Sequence, residues 1–420
     1  MYKLQKLKNN VRVITIPMSA TETFTILVIV ATGSRHETRE NNGISHFLEH
    51  MFFKGTVKRP NTLAISSALD KVGGEFNAFT SKEYTGYYAK VDGQHADLAI
   101  DVIGDMLLHS KFDSQEIERE KGVILEELNM YENNPLIHID DLFEECVYGD
   151  NPAGWDTIGT RENIKKFKRN DFIKYWQEQY QGKDVVVGLA GNFNNKNVTG
   201  AKKLFSQIKA GEKNVSYKFT SAQIKPQLKI KEQKTEQVNL SLGVRAYSYH
   251  DKKYYATKML GIILGGSMSS RLFISVRERK GLAYQVRTQV ESYYDSGYLT
   301  TTIGTSADKV EQVIKTVLAE YKKISNQLVD LAELKKAKDY IHGKTIINLE
   351  SSDDMVGWFI RQEILNKKVL TPAEFFKKVN SVTVQDINRV AKEIFQAQNL
   401  NLAIIGDKLN IKNIKNIFKL

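Results

Sequence analysis

Two histidines and a glutamate stand close together in the stretch Gly43-Ile-Ser-His46-Phe-Leu-Glu49-His50-Met-Phe-Phe-Lys54. On a helix, positions i, i+3 and i+4 share a face, so His46, Glu49 and His50 point the same way. Their neighbours Ile44, Phe47, Leu48, Met51, Phe52 and Phe53 are apolar. Two neutral imidazoles one turn apart suit a tetrahedral Zn2+, and the carboxylate between them is placed to take a proton from an attacking water. Such a site needs a third ligand from elsewhere in the chain.

The stretch 114–132 reads as a helix and carries Glu116, Glu118, Glu120, Glu126, Glu127 and Glu132. Helical phase sorts them. Ile117, Ile124, Leu128 and Tyr131 define one face; Glu120 and Glu127, two turns apart, border it, while Glu118 and Glu126 point away. A carboxylate at the edge of a core is costly unless a cation or hydrogen-bond donors satisfy it. Glu127 is therefore the better ligand candidate and Glu120 a supporting partner. On phase alone, a solvated acidic face is the alternative.

These elements must be carried by a scaffold, and the chain's 420 residues exceed what one core usually serves, so two domains are expected. A duplication is visible. Asp171 to Gly191 matches Asp386 to Gly406 at a constant offset of 215, each copy an amphipathic helix, then a strand with apolar residues at alternate positions, then Gly. Two α+β domains of one design follow. In the first half, strands are expected at 11–17, 23–31, 75–80 and 84–90, with helices at 63–72, 96–110 and 114–132. The second half repeats strands at 228–231, 237–246, 284–291 and 298–304, with helices at 307–325 and 331–346. The boundaries are 1–208, a polar linker at 209–227, and 228–420.

Composition narrows the function classes. The net charge is +11, but the basic residues are scattered and mostly Lys, which reads as a solvated surface with no nucleic-acid partner. The apolar run 24–31 is too short to span a bilayer, and the start Met1-Tyr-Lys-Leu-Gln-Lys lacks the apolar core of a secretory leader, so no membrane association and a cytoplasmic location are expected. The single cysteine, Cys146, excludes an intrachain disulfide and reads as a small buried hydrophobe.

The spacing His46-x-x-Glu49-His50 is the inverted zinc-peptidase motif. With Glu120 and Glu127 in Glu118-Arg-Glu-Lys-Gly-Val-Ile-Leu-Glu-Glu127, it resembles the M16 metallopeptidases. The resemblance extends to Gly73-Gly74-Glu-Phe-Asn77-Ala78-Phe79-Thr80, to Leu264-Gly265-Gly266 through Arg271-Leu272-Phe273, and to Arg277-Glu278 with Gly281-Leu282-Ala283-Tyr284. It implies an α+β fold of two homologous domains, each an antiparallel-rich sheet packed against helices, of the type found in LuxS and the mitochondrial processing peptidase. Zinc, one per chain, would be held by His46, His50 and Glu127, with Glu49 as general base and Glu120 as a supporting acid. An extended peptide would add as a strand along 73–80, touching Gly74, Asn77, Ala78 and Phe79, with Asn77 beside the scissile bond. Arg277 and Tyr284 would donate to the substrate carbonyl. The second half has no such motif: offset by 215, the ligand positions become Gly261, Gly265 and His342, so it is expected to be a non-catalytic copy that completes a chamber. The implied function is zinc-dependent endopeptidase action on peptides or unfolded segments. The alternatives are a non-catalytic peptide-binding or structural subunit and a site-specific presequence-type processing peptidase. Family chambers use four such domains, which implies a homodimer, with a heterodimer containing an inactive homologue as the second choice.

Overall fold

The computed structural model describes residues 2–211, 217–220, 223–366 and 368–420. Of the expected linker 209–227, residues 212–216, 221 and 222 lie outside the described residues.

The first compact unit comprises Met1–Leu128, Asp156–Tyr217 and Thr345–Thr371. Its strands are β1 (Lys3–Lys6), β2 (Arg12–Pro17), β3 (Thr23–Val30), β4 (Glu75–Thr80), β5 (Thr85–Asp92) and β6 (Val185–Gly191), laid out as β1-β2-β6-β3-β5-β4. Among the described residues of this sheet, only β2 and β6 pair in parallel. In chain order the helices begin with α1 (Ile44–Phe52), α2 (Thr62–Asp70), α3 (Ala96–His109) and α4 (Ser114–Asn133). There follow α5 (Pro135–Tyr148), which belongs to the second unit, and then α6 (Arg161–Lys166), α7 (Arg169–Gln179) and α8 (Asn195–Phe205). β3 is buried on both faces from Phe24 to Val30, which is why it reads as a near-continuous apolar run.

The second unit comprises Asn129–Trp155, Lys218–Lys344 and Pro372–Leu420. It repeats the sheet with β7 (Gln227–Glu232), β8 (Val238–Ala246), β9 (Ala283–Ser292), β10 (Gly297–Thr305) and β11 (Leu400–Gly406), ordered β7-β11-β8-β10-β9. β7 and β11 form its parallel pair. The helices run α9 (Tyr254–Gly265), α10 (Val310–Asn326) and α11 (Leu331–Asn348), then α12 (Ser352–Asn366), which lies in the first unit, α13 (Pro372–Asn380), α14 (Val384–Ile394) and α15 (Ile411–Ile417). The expected α+β class with two antiparallel-rich sheets is what the chain forms. Cys146 sits on α5, where burial pushes its thiol up to about 11.

The units are not the contiguous stretches 1–208 and 228–420, and this corrects the expected boundaries. A sheet buried on both faces needs helices on both. In the first unit one of those helices is α12, from the far end of the sequence: Val356, Phe359, Ile360 and Ile364 pack on Ile14, Ile16, Leu27, Ile29, Val186 and Ala190. In the second unit the equivalent helix is α5, whose Ile139, Leu142, Phe143 and Val147 pack with Tyr298, Ala403 and Ile405. Each half of the sequence therefore lends a helix to the other half's sheet. Gly188 on β6 admits α12: a Cβ there would lie 2.3 Å from Val356 Cγ2. Gly188→Ala should destabilise the chain by about 1–3 kcal/mol through overpacking. Adding Val356→Ala should recover part of that loss in urea denaturation, because the two sites share one contact.

Candidate metal centre

The motif helix α1 starts where Gly43 takes a left-handed conformation, φ 98°. A Cβ at Gly43 would lie 2.5 Å from the Ile158 carbonyl oxygen, so glycine serves both the turn and the close approach. Ile44, Phe47, Leu48, Met51 and Phe52 are buried, with Phe47 against Phe172 of α7 at 4.8 Å between ring centroids. Ser45 Oγ lies 2.7 Å from the hydroxyl of Tyr175 on the same helix α7. This packing fixes the roll of α1 and leaves His46, Glu49 and His50 half-buried on the remaining face.

α4 is anchored by buried Ile117, Ile124 and Leu128, with Glu120 also buried and Glu127 half-buried beside them. Glu118 and Glu126 are exposed. Glu127 Oε2 lies 3.7 Å from His46 Nε2 and 3.5 Å from His50 Nε2, and one ligand atom from each of the three residues falls within 4.8 Å of the others. A tetrahedral metal with bonds of about 2.0–2.1 Å sets neighbouring ligand atoms about 3.4 Å apart. The two-nitrogen, one-oxygen set fits a zinc ion with one position left for water or substrate. The donor chemistry agrees: among the described residues no hydrogen-bond donor reaches the Glu127 carboxylate.

The surroundings set protonation. His50 Nδ1 lies 2.8 Å from Glu120 Oε1, which fixes the imidazole so that its Nε2 lone pair faces Glu127. Lys54 Nζ lies 2.6 Å from the other Glu120 oxygen. Burial alone would raise the Glu120 carboxyl, but the bonds from His50 and Lys54 outweigh it and hold the group below the ordinary range. Burial, with the adjacent His50, pushes His46 down to about 3, so it stands as a neutral imidazole. Burial raises the Glu49 carboxyl above its usual value, opposed by the hydrogen bond from Thr80 and by His50. That bond, Thr80 Oγ1 to Glu49 Oε2 at 2.5 Å, leaves Oε1 as the oxygen available to a proton.

β4 is the free edge of the first sheet. Its pleat turns Phe76, Ala78 and Thr80 toward α1, with Phe76 stacked on Phe53 at 6.3 Å and Thr80 on Glu49. Asn77 and Phe79 point to the other face; Phe79 packs by the α12 cluster, and Asn77 Oδ1 accepts from the Ala78 amide at 2.8 Å. The side chain brought to Glu49 is Thr80. Gly74 sits at the entry to β4, its amide bonded to the Leu69 carbonyl. Arg277 and Tyr284 belong to the second unit, where the Arg277 guanidinium lies 5.2 Å from the centre of the Tyr284 ring and Tyr284 is 77% exposed. Sequence reasoning missed Lys54 and Thr80. Lys54, one turn beyond His50, carried a usable signal in its i, i+4 spacing.

The family model for Insulinase (Peptidase family M16) matches residues 12–161, and that for the Peptidase M16 inactive domain matches residues 166–341. The chain belongs to the M16 peptidase family. Among M16 relatives, the Bacillus subtilis protein named uncharacterized zinc protease YmxG is 37% identical over 98% of this chain and 100% of its own length. An uncharacterized zinc protease of Rickettsia felis is 34% identical over 96% of this chain and 97% of its own. A solved protease from Helicobacter pylori superposes with a TM-score of 0.90 at 23% identity, covering 97% of this chain and 99% of that one, and shares the fold. As an M16 zinc-protease homologue, the chain should depend on Lys54 for metal retention. Lys54→Met should weaken zinc binding about 10–100-fold by releasing Glu120 from its fixed orientation, as measured by competition with a chromogenic chelator.

Proposed function

We propose that this chain is a zinc-dependent endopeptidase acting on peptides or unfolded segments that add as a strand along β4. The observation that carries the reading is the convergence of His46 Nε2, His50 Nε2 and Glu127 Oε2 beside Glu49, whose Oε2 is tied to Thr80. His46, His50 and Glu127 would hold the ion, one per chain. When bound, zinc supplies the Lewis acidity that makes water nucleophilic near neutral pH. Glu49 takes the proton at Oε1 while Thr80 holds Oε2, then returns it to the leaving amine; a carboxyl raised by burial is suited to both transfers. Glu120 keeps the His50 ring in place. β4 is the outermost strand of its sheet, where a further strand can add, which favours recognition of backbone before side chain and broad sequence tolerance. A cytoplasmic setting belongs to the same reading, supported by the lone, half-buried Cys146.

Glu49→Gln should keep its zinc and lose about 10²–10⁴-fold in turnover on a peptide library followed by mass spectrometry, with metal content read in parallel. Retained hydrolysis in a metal-replete variant would remove Glu49 from this role.

The reading extends to a homodimer, because one chain carries both the metal cluster and the Arg277/Tyr284 pair that M16 enzymes turn toward a substrate carbonyl. Each copy's second half would complete its partner's site. Co-expressing Glu49→Gln chains with Arg277→Ala chains should then restore activity in mixed dimers, since one of the two sites is intact. If the two residues act within one chain, no mixture recovers.

A further inference from the structure

Residues 33–37 form a short strap before α1 that carries two ionisable side chains withdrawn from water, Arg35 at 1% exposure and Glu37 at 0%. Burying a charge costs several kcal/mol unless its bonds are made, so such groups are anchors where they occur. Glu37 is fully engaged by the start of the motif helix. Its Oε1 accepts from the Ser45 amide at 2.8 Å, and its Oε2 accepts from the Gly43 amide and from Asn42 Nδ2, both at 2.9 Å. These amides belong to the first turn of α1, which has no acceptor within the helix itself.

The other end of the strap is tied to the residues that follow Thr80. The Ser34 amide donates to the Ser81 carbonyl at 3.2 Å and the Arg35 amide to the Lys82 carbonyl at 2.8 Å. Arg35 Nη1 bonds Glu83 Oε1 at 2.7 Å, and Nη2 donates to the Tyr217 carbonyl at 3.1 Å. Contact is close enough that a Cβ on Gly33 would lie 2.1 Å from the Ser81 carbonyl oxygen.

The strap therefore spans two points that matter to one hydrogen bond. One end holds the turn of α1 that leads to Glu49; the other holds the residue after Thr80. Between them the Thr80 hydroxyl and the Glu49 carboxylate meet at 2.5 Å. We infer that Glu37 and Arg35 are positioning residues whose strap sets the spacing between α1 and β4 and so holds Glu49 on Thr80. The inference rests on the peptidase reading for its effect on turnover, while the spacing itself is independent of it.

Two measurements test it. In hydrogen–deuterium exchange of the full-length chain, Glu37→Asp, too short to reach both Gly43 and Ser45, should speed exchange in 43–47 and also in 81–84. Loosening confined to 43–47 would make Glu37 a helix cap only and overturn the inference. In kinetics on a cleaved peptide, Thr80→Val should lower kcat by about tenfold or more, with KM little changed and zinc content full, and Thr80→Ser should recover most of the loss. Glu37→Asp should lower kcat by itself yet add little to Thr80→Val, because both act through the same bond. Multiplicative effects, or a loss in KM alone, would overturn the inference. If the zinc-loaded wild type cleaves nothing, the peptidase reading falls and the exchange experiment still decides the strap.

Discussion

Lone pairs crowded into one partly dry place are the constraint from which the rest of the structure follows. Three carboxylates, Glu49, Glu120 and Glu127, and two imidazoles share a small volume between α1, α4 and β4. Each carboxylate is satisfied differently: Glu120 by Lys54 and His50, Glu49 by Thr80, and Glu127 by no protein donor among the described residues. His46 cannot help by charging, because burial holds it neutral. The arrangement is costly without a cation and favourable with one, which is the electrostatic signature of a ligand cage. Everything that packs behind it, from Phe47 on Phe172 to the apolar face of α4, prevents these groups from relaxing apart.

What could be read from the sequence follows the same physics. His46, Glu49 and His50 were legible because helical spacing forces them together, and Glu120 and Glu127 because phase against Ile117, Ile124 and Leu128 leaves few places for them to point. The duplication was legible as a constant offset. Thr80 was inside a recognised segment, but picking it out as the partner of Glu49 requires knowing which face of β4 meets α1, and pleat alternation fixes only that neighbours differ. Arg35 lies on a single 3-10 turn, Ser34–His36, and Glu37 closes it, a turn too short for any periodicity to relate a residue to its partners.

The exchange of α5 and α12 escaped for another reason. Val356, Phe359, Ile360 and Ile364 spell an apolar helical stripe, which says that the stripe is covered but not by which strands. In a duplicated chain the ambiguity is sharper, since both sheets offer similar apolar surfaces. The choice is written in small residues on the receiving strands: Gly188 under Val356, and Gly243, whose Cβ would lie 2.9 Å from Phe143 Cζ. Because segments from both halves build each unit, neither half of the sequence contains all the strands and helices of one core, and stability is shared along the whole chain.

The second unit shows what the same design becomes without the lone pairs. Gly261 and Gly265 of α9 stand at the positions of the first two metal ligands, and β9 fills the space: a Cβ would lie 2.8 Å from Val290 Cγ2 at Gly261 and 2.2 Å from Thr288 Oγ1 at Gly265. Helix and edge strand close directly on each other at these two glycines. In the first unit that closure is blocked by imidazole and carboxylate side chains, and the strap from Glu37 to Arg35 takes over the task of fixing helix to strand. A helix and a strand kept apart by polar side chains lose the direct packing seen in the second unit, and a buried strap anchored to both replaces it.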